Sequence, residues 1–445
     1  MFEFTKEQEM IRAMVREFAD AELAPKALEL DRKGEFPFEL VRRIGALGII
    51  GIASPREYGG SKAGHLPAVI AVEEIARVYP SLAFILEVTQ APLYLIETWG
   101  TPEQRQAWLP PLIRGEKIAA VAATEPTGGS DLATLNTTAA ADGDAWVLNG
   151  RKVYITNGSV GDLVLVLAKT GGRASILALE KGTPGFVVSR RQDLMGFRSG
   201  DVCELGFSNC RVPKANLVGK EGGGQAAAMA TFTVSRAAVG AVGLGIARGA
   251  FEIALKYAKE RALYGKPIAG LQAIQFLLVD MDTEIDAARW LIYHPAACLD
   301  RGMAPRDLGK LSARAKYVGG EVAASVTMKA MQVLGGYGVS PEYHLPRLLA
   351  DAVEIFPATG TPQIMKIIQA MEIVPGPTCA PTTGLTSDRI NSTGENRARQ
   401  VSINSRAFSS ANAWKTEMRT GLRPRMPSST RSIRSAASAR PWAPW

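Results

Sequence analysis

Glu87 stands in Phe84-Ile-Leu-Glu-Val-Thr-Gln90, a lone carboxyl in an otherwise apolar helical stretch. An apolar surround holds a carboxyl back from ionising and lifts its pKa toward the range where it can exchange protons near neutral pH. On the solvent side of a helix the same residue would be an ordinary surface charge. Far along the chain, Glu354-Ile-Phe-Pro-Ala-Thr-Gly-Thr-Pro-Gln363 presents hydroxyls at Thr359 and Thr361. A hydroxyl cannot act as a base near neutral pH, so this loop can bind but cannot itself take a proton. In Ala123-Thr-Glu-Pro-Thr-Gly-Gly-Ser-Asp131, Pro126 and the pair Gly128-Gly129 let the backbone turn sharply and bring N–H groups close to a ligand, or simply join a helix to a strand. Tyr154 and Thr156 share one strand face at i, i+2, which fits either a ligand wall or a solvated pair. Alone, Arg236 reads as a surface charge, Arg261 as a helix-end cation and Gly335-Gly336 as a helix stop. Three histidines (His65, His294, His344) lie far apart and four cysteines (Cys203, Cys210, Cys298, Cys379) show no CxxC spacing, so no metal site or disulfide framework is expected. No G-x-G-x-x-G or Walker A sequence occurs either.

In their order and spacing these segments resemble the acyl-CoA dehydrogenases. The likeness runs from residue 3 to about 373 and also rests on Tyr154-Ile-Thr-Asn157, Glu260-Arg-Ala-Leu-Tyr-Gly-Lys266 before Leu271-Gln272, and Gln332-Val-Leu-Gly-Gly336. It implies FAD as cofactor, with Thr124 and Ser130 bordering the flavin ring and phosphates and Tyr154 and Thr156 against the isoalloxazine. It also implies that Arg261 and Gln272 hold the pyrophosphate and adenosine across a subunit interface, with Gln332, Gly335 and Gly336 at the same contact. Thr361 and Gln363 join the cofactor set, while Arg236 and Ser130 fall to the acyl-CoA substrate.

The family's base is a Glu two residues before the Thr that matches Thr361; here that position is Thr359. Its backbone N–H can still bond the thioester carbonyl, because that role needs no side chain. An alternative base position in the family matches Ser235, which is not a base either. Glu87 lies on the helix that, by resemblance, lines the far end of the acyl pocket. A base there suits proton removal distant from the thioester, as in members acting on cyclohexenecarboxyl-CoA. The expectation is therefore FAD-dependent dehydrogenation of an alicyclic or otherwise unusual acyl-CoA, with Glu87 as base and Thr359 at the carbonyl. Electrons would pass to an electron-transfer flavoprotein or similar acceptor, from a homotetramer or homodimer. A non-catalytic acyl-CoA and FAD-binding homologue, or an acyl-CoA oxidase, are the alternatives.

Three textures must position these groups, giving an α+β fold. Residues 1–120 read as helices: Thr5 and Gln8 form a capping-box pattern, and Met10, Met14 and Phe18 recur along one face. From 121 to 225 the period becomes two, as in a β-barrel or sandwich, and Asn149-Gly150 predicts a hairpin turn between two β-prone runs. Residues 226–375 return to long helices with short breaks, a four-helix bundle. The stretch 376–445 carries eleven basic and three acidic side chains, accounting for the whole net charge of +8. It reads as a disordered basic tail, or as an out-of-frame translation. Residues 1–375 are thus neutral and give no charge-based case for nucleic acid, which only the tail would attract. With Glu3, Lys6, Glu7 and Glu9 at the start and no apolar run longer than Ala237–Ala247, neither a signal peptide nor a membrane span is expected. A cytoplasmic protein follows as the expectation.

Overall fold

The computed structural model describes residues 3–374, so the reading of 376–445 lies outside the described residues. The first part is helical: α1 (Lys6–Phe18), α2 (Ala24–Lys33), α3 (Phe38–Ala46), α4 (His65–Ala76), α5 (Pro80–Trp99) and α6 (Pro102–Ile113). Thr5 caps α1 as its sequence predicts, its Oγ1 accepting from the Gln8 N–H at 3.2 Å while Gln8 Oε1 accepts from the Thr5 N–H at 3.0 Å. The face of α1 differs from the expectation. Met10 and Met14 are exposed, and Ile11 and Val15 pack inward beside Phe18, the one member of the expected stripe that is buried. Both stripes have helical spacing, and the β-branched and aromatic side chains fill the core gap that the flexible methionines leave to solvent.

The middle part is an eight-stranded sheet: β1 (Ala119–Ala122), β2 (Thr138–Asp142), β3 (Ala145–Thr156), β4 (Leu163–Thr170), β5 (Arg173–Glu180), β6 (Phe186–Arg191), β7 (Val202–Pro213) and β8 (Leu217–Val218). Its order is β6-β7-β3-β2-β4-β5-β8, with β1 parallel to β4. Trp146, Leu148, Val164, Leu177, Leu205 and Phe207 share an inner core. Leu163, Leu165 and Leu167 on the other face of β4 belong to the helical core. That double burial is why Leu163–Ala168 is an unbroken apolar run rather than an alternating one.

Asn149-Gly150 is not a hairpin turn. β3 runs straight through it against β7, with a register shift between Leu148 and Gly150. The Asn149 side chain accepts from the Asn209 N–H at 2.8 Å, and Gly150 has φ +150° with Thr137 packed where a Cβ would stand. The residue pair that suits a type I′ turn here serves a bulge, and the turn itself falls at Gly143-Asp144 between Asp142 and Ala145.

Three long helices, α7 (Gly224–Glu260), α8 (Gln272–Asp300) and α9 (Gly309–Leu334), are followed by α10 (Leu345–Ile355) and α11 (Pro362–Ile373), which pack on α9 to complete the bundle. α7 is long and apolar enough to cross a membrane by composition, yet 78% of its most apolar window is buried inside the protein. It is the core helix, touching α4 and α5 on one side and α8 and α9 on the other.

Candidate active site

Glu87 is on the buried side of α5, 3% exposed. It lines a cavity of about 60 Å³ together with Gln90, Tyr94 and Glu97 of its own helix and Thr231 and Ser235 of α7. Burial pushes its carboxyl up to about 8, with Ser235 pulling slightly the other way, while the Ser235 hydroxyl itself donates to the Phe232 carbonyl at 3.3 Å. A carboxyl so placed is neutral below that pH and a strong base once ionised. Ser235, not itself a base, therefore lines the same cavity as one.

Arg236, the next residue of α7, is not a surface charge. It is 4% exposed, burial pulls its pKa down to about 10, and its Nε has no hydrogen-bond partner. Lys316 of α9 is equally buried, and burial and the Arg236 charge lower it to about 7. Its Nζ donates to the Phe356 carbonyl at 2.8 Å, anchoring the loop that carries Thr359. Nothing in the sequence around Lys316 marks this role, since its neighbours read as an ordinary amphipathic helix.

Thr359 itself has φ +50°, a left-handed conformation that a β-branched residue adopts only under constraint. Among the described residues no acceptor meets its N–H, which leaves that donor available to a ligand. Two carboxylates tie the approach to the loop: Glu354 accepts from the Gly196 N–H at 2.9 Å and Asp351 from the Phe197 N–H at 2.6 Å. Desolvation raises both, to about 6 and about 7. Phe197 in turn stacks on Phe84 of α5 at 4.6 Å, so this segment bridges α10 and the helix of Glu87. Thr361 caps α11, its Oγ1 accepting from the Ile364 N–H, and Gln363, the second residue of the helix, is exposed.

At the end of the sheet, Tyr154 has φ +55° at a second bulge in β3 and is 62% exposed, with Thr156 half-buried two residues on. The bulge lies between Lys152 and Ile155, and Tyr154, Ile155 and Thr156 run exposed, buried and half-buried in turn. Asn157, also left-handed, donates from Nδ2 to the Ala119 carbonyl at 3.3 Å and to Thr89 of α5 at 3.4 Å, coupling this strand end to the helix of Glu87. Thr124 lies beside Val153, whose N–H donates to the Thr124 carbonyl. A Cβ on Gly129 would come within 2.9 Å of the Thr124 side chain. The buried Lys152–Glu125 pair (2.8 Å) pins the start of this loop, Glu125 also accepting from the N–H groups of Asn136 and Thr137. Ser130 is exposed at its far end.

A separate group sits at one end of the bundle. Arg261 follows α7 and is exposed, as is Gln272 at the start of α8; the Ile268 N–H donates to the Arg261 carbonyl. Gln332, Gly335 and Gly336 are exposed at the end of α9, where a Cβ on either glycine would meet nothing. Tyr257, one turn before Arg261, lies 6.3 Å from Tyr337, so the ends of α7 and α9 adjoin. Among the described residues no three His, Cys, Asp or Glu side chains gather as a metal site, and Cys203, Cys210 and Cys298 are buried free thiols.

Three family models match in succession: the acyl-CoA dehydrogenase N-terminal domain over residues 5–116, the middle domain over 120–210 and the C-terminal domain over 222–374. The chain belongs to the acyl-CoA dehydrogenase family. It is 40% identical over 378 residues to an acyl-CoA dehydrogenase of Bacillus subtilis, covering 84% of this chain and 99% of that protein. It is also 40% identical over 376 residues to the cyclohex-1-ene-1-carbonyl-CoA dehydrogenase of Geobacter metallireducens, covering 83% and 98%. A solved chain described under the electron transferring flavoprotein of Acidaminococcus fermentans superposes with a TM-score of 0.81 at 38% identity, covering 84% of this chain and all of that one. A glutaryl-CoA dehydrogenase of Mycobacterium smegmatis in complex with FADH2 superposes at 0.79 with 26% identity, over 83% and 95%. This acyl-CoA dehydrogenase takes FAD as its cofactor. An exposed aromatic at a left-handed bulge, a hydroxyl beside it and a glycine loop that a side chain would crowd fit a planar ring and its phosphates.

Proposed function

We propose that this acyl-CoA dehydrogenase oxidises an alicyclic or otherwise unusual acyl-CoA, with Glu87 as the base. The single observation that carries this is the buried Glu87 carboxyl in a cavity that Ser235 also lines, while the loop position of the family's base holds Thr359. Bound FAD supplies the hydride acceptor. Thr124, Ser130, Tyr154, Thr156, Thr361 and Gln363 would hold the flavin. The Thr359 N–H would bond the thioester carbonyl, and Arg236 would add positive potential on the substrate side, reinforced by Lys316. Glu87 would then remove a proton from a carbon remote from the thioester, a geometry suited to a ring that folds back toward α5. The likeness to the Geobacter metallireducens enzyme supports the same substrate class. Arg261, Gln272, Gln332, Gly335 and Gly336 would reach the cofactor of a neighbouring subunit in a homotetramer or homodimer. An electron-transferring flavoprotein is the acceptor this reading favours.

The test is flavin bleaching by straight, branched and cyclic acyl-CoAs. Cyclohex-1-ene-1-carbonyl-CoA should bleach the wild type, and Glu87→Gln should abolish this with FAD still bound. Thr359→Glu should add bleaching by straight-chain acyl-CoAs. Bleaching retained in Glu87→Gln sinks the assignment of the base, and a flavin that no acyl-CoA reduces would establish a non-catalytic binder.

A further inference from the structure

Glu87 does not end its cavity. The residues of α5 that line it are Glu87, Gln90, Ala91, Leu93, Tyr94 and Glu97; all but Leu93 fall at i, i+3, i+4, i+7 and i+10 on one side of the helix, so the cavity follows α5 between two carboxyls. Ten residues of helix span about 15 Å. The cavity's 60 Å³ has room for on the order of four waters at roughly 15 Å³ each. Four waters between two carboxyls would make about five hydrogen bonds of roughly 2.8 Å, a reach of the same order as that rise along the helix.

The far end is polar. Glu97 is half-buried and meets Ser54, while its Oε1 is buried without a hydrogen-bond partner in the protein. His65 also lines that end. A buried carboxyl oxygen left unpaired costs about 1–3 kcal/mol, so a donor from the cavity is expected there. Glu87 by contrast is almost sealed, and a substrate lying against it would close its remaining side.

We propose that Glu97 is the proton outlet of Glu87, reached through a file of water along α5. The proposal rests on the reading of Glu87 as base. After Glu87 takes the substrate proton, its carboxyl O–H breaks as the first water gains a proton. Each water passes one on, and an O–H forms on the Glu97 carboxylate. Glu97 then loses its proton to bulk water at its exposed side, and Glu87 is again an anion. No redox change accompanies the transfer. Burial sets Glu97 at about 7 against about 8 for Glu87, so moving the proton outward costs only about tenfold in equilibrium. Arg105 beside Glu97 favours its ionised form once the proton has left.

Hydrogen–deuterium exchange of the Glu87 carboxyl tests this on the holoenzyme saturated with a cyclohexylmethyl thioether of CoA, which cannot be oxidised and closes the remaining side of Glu87. At pH 6.5, roughly a unit and a half below its pKa, the protonated carboxyl gives an infrared C=O band, identified by its loss in Glu87→Gln, that shifts on mixing with deuterium oxide. In Glu97→Gln the shift should be at least tenfold slower, and in Glu97→Ala added formate should restore it. Wild-type exchange in Glu97→Gln would overturn the proposal, as would slow exchange in Glu97→Ala that formate leaves unchanged. Normal exchange alongside abolished bleaching in Glu87→Gln would sink this inference alone. Retained bleaching in Glu87→Gln would sink the base assignment whatever the exchange rate.

Discussion

The carboxyl of Glu87 sets activity and stability against each other. Its pKa is about 8 in the folded protein and 4.5 as an ordinary Glu, so the protonated form is the one folding favours. The stability it contributes is fully present below pH 4.5 and is lost as pH rises through 8. Each pH unit in that window is worth about 1.4 kcal/mol, which makes the loss from pH 5 to 8 on the order of 4 kcal/mol. Gln carries no titration, so Glu87→Gln should match the wild type near pH 5 and exceed it by a few kcal/mol at pH 8. Denaturant midpoints of the two forms at both pH values check this, and equal midpoints at pH 8 would mean the carboxyl is solvated. A base must be ionised, so the wild-type flavin-reduction rate should climb about tenfold per unit up to pH 8. That sequence could flag this residue at all follows from its apolar neighbours. Ser235 was flagged only as an empty base position, and that it shares one cavity with Glu87 and Glu97 was not legible, because only the packing of α7 across α5 brings them together.

Helix α7 is held by glycine on two sides. A Cβ at Gly243 would stand 2.2 Å from the Gly319 carbonyl oxygen on α9, and one at Gly249 2.1 Å from the Arg77 carbonyl oxygen just beyond α4. Neither obstacle is a flexible side-chain tip, so the helices themselves would have to move apart. Gly243→Ala should therefore cost about 1–3 kcal/mol or more, although Ala is the better helix former by roughly 1 kcal/mol. Because Ser235 lies two turns before Gly243 on the same helix, separation of α7 from α9 should also loosen the cavity. A variant as stable as wild type in urea would refute this account of the crossing. The sequence displayed α7 as an apolar run without saying which neighbours it meets. It misled at Asn149-Gly150 for a related reason: local turn chemistry is shared by hairpins and bulges, and only the β3–β7 pairing decides between them. Tyr154 shows the same limit, since the bulge at which it stands arises from that pairing.

Charge divides the whole molecule unevenly. Residues 1–375 hold 40 basic and 40 acidic side chains, and the excess of +8 resides entirely in 376–445. The three-part order of helices, sheet and helices was legible because each part has its own hydrophobic period. The family matches end at residue 374. The buried members of the large hydrophobic core run from Val15 to Ile355, with Phe4, Ile11 and Ala358 packed against them, and no residue assigned to the flavin, the substrate or the proton path lies beyond Gln363. A chain ended after Val374 should accordingly bind FAD in full and melt within about 2 °C of the full-length protein, less than 1 kcal/mol for a unit of this size. It should also lose retention on a cation exchanger at pH 7, since nearly all the charge that holds the full chain there has gone. Thermal melts, the flavin-to-protein absorbance ratio and the elution salt measure these three outcomes separately. Loss of flavin on truncation would place part of the cofactor site in the basic segment and overturn the assignment of binding to residues 124–363.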